Sequence, residues 1–122
     1  MLLRAILITL LKHPHVNVRH VVFCDEEGER VEAVSRDPKV DPFELDLLGA
    51  SYAALVARLT GEPGPITDSR DLRLRSVHPE NIVWVQGLLY GYYLVVVTER
   101  DERSHQLENA LEDAALALAD HM

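Results

Sequence analysis

Six histidines, one cysteine, one mid-helix serine and a run of carboxylates are the residues of this chain best suited to chemistry. His13 and His15 form an H-x-H pair, a spacing that on a strand turns both imidazoles toward one metal ion. Pro14 stands between them in what reads as a helix-ending loop, and no third ligand lies nearby, so solvated loop histidines are expected. Ser51 has no histidine or acid at helical spacing to activate it as a nucleophile. Asp25, Glu26, Glu27 and Glu29 crowd one turn but lack the ligand spacing of a calcium loop. Cys24 falls in an apolar run, where a free thiol behaves as a small hydrophobe, and a single cysteine suits a reducing compartment. Trp84, Tyr90, Tyr92 and Tyr93 cluster near one turn; aromatics there are core or cross-strand partners before they are a binding site. Neither a Gly-rich phosphate loop nor a dinucleotide fingerprint is present. The expectation is no catalytic residue, no cofactor site and no metal site. Function must then come from surfaces.

Composition narrows the surfaces. The 122 residues carry 12 bases and 20 acids, a formal charge of −8, the wrong sign for a nucleic-acid partner. Glu99 to Met122 carries two bases against seven acids, as a solvated helix face does. The apolar run Met1 to Leu11 is too short to insert in a membrane and is not followed by a small-residue cleavage site, so it reads as a helix of a cytoplasmic domain. It is apolar on all sides, which suggests a second interface through Leu3, Leu7 and Leu10.

The remaining pattern predicts one domain over residues 1–122. Strands are expected at Arg19 to Asp25 and Arg30 to Ser35, joined by a turn in which Gly28 supplies a positive φ. Asp41, Pro42 and Glu44 read as N-cap, N1 and N3 of a helix running to Leu59, with Gly61 as its C-cap and a loop from Glu62 to Ser69. Leu72 to His78, Ile82 to Leu88 and Tyr92 to Thr98 follow as strands, the last continuously apolar and therefore central. A final helix presents Leu107, Leu111, Ala114 and Leu118 on one face. The order αββαβββα makes an α/β (α+β) three-layer α-β-α sandwich on a five-stranded antiparallel sheet.

The helix from Pro42 has two unlike faces. Leu45, Leu48, Tyr52, Leu55, Val56 and Leu59 gather on one, as a core stripe; Asp46, Leu47, Ala50, Ala53, Ala54 and Ala57 gather on the other, with Arg58 at the edge. The small face suits close approach of another helix. Leu72, Arg73, Leu74 and Arg75 begin the meander and can lie at the sheet edge, where the arginines discourage wrong pairing or the strand pairs with its own copy. Both features would then lie on one homodimer interface.

His13-Pro14-His15-Val16 leading into Val21 through Gly28, the helix from Phe43 to Ala57, and the closing strand and helix from Tyr92 resemble the roadblock family, named from the dynein light chain, and in particular its bacterial members. Val18-Arg19-His20 departs from the small residue such proteins often carry there. The resemblance implies a non-enzymatic homodimer built on the second helix and third strand. It further implies a regulator or adaptor whose partner is a small Ras-like GTPase or another roadblock protein in cell polarity or motility. The competing reading is a small-ligand sensor with a pocket between helix and sheet, which the lack of convergent buried polar residues disfavours.

Overall fold

A computed structural model describes residues 2–60, 72–101 and 103–121, without the side chains of 57, 59, 60 and 104. The expected Gly61 cap and the Glu62 to Ser69 loop lie outside the described residues, as do the side chains of Ala57 and Leu59. The elements are α1 (Leu2–Leu11), β1 (Val18–Cys24), β2 (Arg30–Ser35), α2 (Pro42–Thr60), β3 (Arg73–Val77), β4 (Asn81–Gly87), β5 (Tyr93–Glu99), a 3-10 turn (Ser104–Gln106) and α3 (Leu107–Ala119). The five strands form one antiparallel sheet in the order β2-β1-β5-β4-β3, giving the expected α+β sandwich.

Alternation along the strands divides two cores. Val22, Val95 and Val85 lie side by side across β1, β5 and β4 and face α2; Val21, Val96 and Trp84 lie in the next row and face α1 and α3. β5 is central, as its continuous apolar run predicts, and β3, which opens the meander, is an edge. Two positive-φ residues, Tyr90 (59°) and Gly91 (78°), make the tight turn into β5. Leu107, Leu111, Ala114 and Leu118 all point inward from α3.

α1 corrects an expectation. It lies across β1 and β2 and against α3, so two of its sides are consumed within the subunit. Leu7 and Leu10 are buried in the core rather than offered to a second interface, and Leu3 packs partly against it; Leu2, 63% exposed, is the large apolar side chain left outside. Arg4 pairs with Glu32 of β2 at 3.0 Å, and the Arg36 guanidinium donates to the Leu11 carbonyl at 2.9 Å, closing the end of α1.

The H-x-H pair closes the same end. His13 Nδ1 accepts from the backbone N–H groups of His15 and Val16, both at 3.1 Å, so this nitrogen holds a turn rather than a metal. Burial, and then the adjacent His15, keep the His13 pKa below its ordinary value. A depressed folded-state pKa means that the unfolded chain binds protons more readily near pH 6. His13 thus supports the fold above its unfolded pKa of about 6.5, and that support is lost as pH falls toward the folded value. His20, lowered first by burial and then by Arg19 against the opposing pull of Asp37 and Glu44, acts in the same direction. The melting temperature should therefore drop between pH 7.5 and 5.5, and His13→Gln should flatten that drop while still offering an acceptor oxygen. An unchanged pH slope in the variant would remove His13 from this role.

Candidate functional site

The site begins at Asp41, whose Oδ1 accepts from the Phe43 backbone N–H at 2.9 Å and fixes where α2 starts. From that start the helix buries Leu45, Gly49 and Val56, with Leu48, Tyr52 and Ala53 half-buried. Leu55 corrects the predicted core stripe: it is 38% exposed. The buried arc is turned toward Gly49 and Ala53 because the β1–β2 turn packs there. A Cβ on Gly28 would lie 2.8 Å from the Ala53 Cβ and 2.9 Å from the Gly49 carbonyl oxygen. The Arg30 Nε, also on that hairpin, pairs with Asp46 at 3.0 Å.

Part of the small face is thereby explained inside the subunit. Ala53 is small so that the hairpin can approach, and Asp46 is held by Arg30. What remains outside is a continuous stripe of Phe43, Leu47, Ala50, Ser51, Ala54, Leu55 and Arg58. Phe43 is 67% exposed and Leu47 54%. Phe43, Ser51 and Leu55 lie outside the small face that periodicity predicts. Phe43 precedes Leu47 by four residues and Leu55 follows Ser51 by four, so the roll of the helix brings them onto the stripe.

Beside α2, the edge strand β3 divides its four expected interface residues between two faces. Leu72 and Leu74 pack toward α2. Arg73 donates from Nε to the Gln86 Oε1 at 2.8 Å and stands 3.9 Å from Glu112 of α3, while the Arg75 guanidinium lies 5.7 Å from the centre of the Trp84 ring. Both arginines therefore sit on the α3 side, and strand alternation forbids all four from lining one surface. Their outer hydrogen-bonding edge is still that of an edge strand. His78 ties the end of β3 to α2, its Nε2 lying 2.9 Å from the Ser76 Oγ and 3.4 Å from the Tyr52 hydroxyl.

A pocket of about 410 Å³ opens between α2 and the sheet, lined by His20, Glu44, Ser51, Tyr52, His78, Asn81 and apolar neighbours. The buried polar side chains among the described residues are Gln86 and Thr98, and neither lines it. Its polar lining groups are exposed or half-buried, unlike the buried polar groups that orient a small ligand. His20 turns its Nδ1 toward the Ser35 Oγ, 2.8 Å away.

The other reactive types are used structurally. Cys24 is fully buried, its thiol pushed up to about 12 by burial and then by Asp25. It should resist iodoacetamide in the native protein and react only on unfolding; rapid native labelling at pH 8 would refute this. Asp25 Oδ1 accepts from the backbone of Glu27 (2.9 Å) and Glu29 (3.0 Å), which makes the acidic run a turn. The aromatic residues do not form one cluster: Trp84 and Tyr93 are core on opposite faces, Tyr92 packs on Phe23 at 5.5 Å, and Tyr90 is exposed. Among the described residues no group of three His, Cys, Asp or Glu side chains is placed to hold a metal, and no helix is long and apolar enough to cross a membrane.

No family model and no curated protein matches the sequence. Solved structures do match its fold. The gliding protein MglB from Thermus thermophilus is similar over 98% of this chain and 87% of its own, with 20% identity and a TM-score of 0.74. Another MglB structure, described in a tetrameric arrangement, gives 0.69 at 20% identity, covering 97% of this chain and 85% of that one. A Roadblock/LC7 domain from Streptomyces avermitilis gives 0.72 at 14% identity over 96% and 94%. MglC from Myxococcus xanthus gives 0.64 at 17% identity over both whole chains. The chain has the roadblock fold.

Proposed function

We propose that this roadblock-fold chain is a non-enzymatic dimeric regulator or adaptor, acting through the outward stripe of α2 and the edge of β3. One observation carries the reading: Phe43, Leu47, Ala50, Ala54 and Leu55 form an exposed apolar stripe beside a strand edge that no described strand pairs with. An isologous dimer would cover both at once, helix on helix and strand beside strand. The small residues at 50 and 54 let two helix backbones approach, and Phe43 and Leu55 fill the ends of the contact. The tetrameric MglB structure supports self-association as a habit of this fold.

The partner we propose is the one the family resemblance implies, a small Ras-like GTPase or another roadblock protein of a polarity or motility system; a gliding protein that shares the fold supports it. On that reading the chain supplies no nucleotide site and acts by contact. Light scattering of the native chain should give about twice 13.7 kDa. Co-purification from the native host should recover a GTPase whose GTP turnover the chain alters. A monomer at tens of micromolar, or a recovered GTPase indifferent to the chain, would overturn the respective half of the proposal.

A further inference from the structure

On the face of the sheet opposite α2, α1 and α3 lie side by side and leave a groove of about 920 Å³ between them. Its floor is Leu10 and Ala114, 3% and 6% exposed, and its sides are the half-buried Ile6, Ala110 and Ala117. The three alanines follow i, i+4 and i+7 on α3, one face of that helix, whereas its leucines at 107, 111 and 118 face the sheet. Alanine there keeps the groove wide. Ala114 belongs to the core together with the leucines, and the half-buried Ala110 and Ala117 leave the groove side of α3 without bulk.

The charge along the groove selects what that is. Its α3 rim carries Glu108 and Asp113, both exposed. No lysine or arginine lines it among the described residues; its basic types are His13, His15 and His105. We propose that this groove is a docking site for a basic amphipathic helix of a partner protein. Its apolar i, i+3, i+4, i+7 residues would rest on the half-buried Ile6, Ala110 and Ala117, with lysines or arginines beside Glu108 and Asp113. A second copy of this chain is the poorer occupant, because each copy carries −8 and the outward stripe of α2 is flanked by Glu44 and Asp46. The groove and the α2 stripe lie on opposite faces, so this inference stands or falls independently of the dimer.

The test uses the full chain, isotope-labelled, and a synthetic helical peptide of about 18 residues with leucines at the four stripe positions and lysines on either flank. A second peptide replaces every lysine with glutamate. The lysine peptide should perturb amide resonances of 6–17 and 105–117 and bind more weakly as salt rises. Glu108→Lys with Asp113→Lys, both at exposed positions, should weaken that peptide by roughly tenfold or more and reverse the preference between the two peptides. Circular dichroism melting of the double variant confirms that it is folded. Perturbations confined to α2 or β3, equal binding of both peptides, or no loss in the folded variant would each overturn the inference. So would sedimentation showing that Ala117→Arg breaks an oligomer, since a second copy would then occupy the groove.

Discussion

Ala54→Glu should convert the protein from a dimer to a folded monomer. Ala54 is exposed at the middle of the outward α2 stripe, flanked at helical spacing by Ala50, Leu47 and Arg58. Glutamate is a good helix former, so the isolated subunit loses almost nothing. Across a two-fold axis a single substitution places two carboxylates in one apolar contact, each desolvated and facing its like. Juxtaposed like charges cost several kcal/mol, which weakens the dimer on the order of a hundredfold or more. Light scattering at a concentration where the native chain is dimeric should show the mass halved. The melting curve, extrapolated to low concentration, should match that of native protein. Asp46 offers the contrast. It already pairs with Arg30 at 3.0 Å, so Asp46→Ala should loosen the hairpin more than the dimer. An intact dimer with glutamate at position 54 would move the interface off α2.

Gly28→Val should cause the largest loss of stability available from one surface turn. Gly28 combines two requirements. Its φ of 83° lies where a β-branched residue is strained, and any Cβ there would meet the Ala53 Cβ at 2.8 Å and the Ala50 Cα at 2.9 Å. The backbone strain costs about 1–2 kcal/mol and the overpacking about 1–3 kcal/mol. In a domain of this size the sum lowers Tm by roughly 10 °C. Gly49→Ala probes the same contact from the helix side, since its Cβ would lie 2.8 Å from the Gly28 carbonyl oxygen. The two substitutions disrupt one approach, so their effects together should be less than additive. Glu27→Ala, one residue away and exposed, is the control. A Gly28→Val variant melting within about 2 °C of native would show that the hairpin does not rest on α2 as described.

This contact also marks how far the chain can be read without its fold. Stepping α2 by 100° per residue identifies two apolar stripes but does not say how far the helix is rolled on the sheet. Periodicity puts Leu55 inward and Ala53 outward; the structure rolls α2 so that Ala53 meets Gly28 and Leu55 meets solvent. The difference is set by a turn far earlier in the chain, and local periodicity carries no information about it. Arg73 and Arg75 behave alike on a strand. Their alternation against Leu72 and Leu74 is visible in the sequence, but which face belongs to α2 depends on where α3 places Glu112 and where β4 places Trp84. On α1 the uniform apolarity is legible, while the structure buries Leu7 and Leu10 against the sheet and α3.

By itself, the sequence determined the parts governed by local chemistry. These are the Asp41 cap, the positive φ at Gly28, the central place of the continuously apolar β5 and the inert Cys24. Each follows from a side chain's own conformational or solvation preference, which acts within a few residues. Only the tertiary structure decided which small residues of α2 serve the hairpin and which face outward. It also decided which leucines of α1 are consumed inside, and that α1 and α3 leave an acid-rimmed groove between them. Those outcomes depend on close packing between segments far apart in the chain. An alanine reads the same in sequence whether a glycine turn, a twin helix or a partner's helix lies against it; its neighbour across space gives it its role.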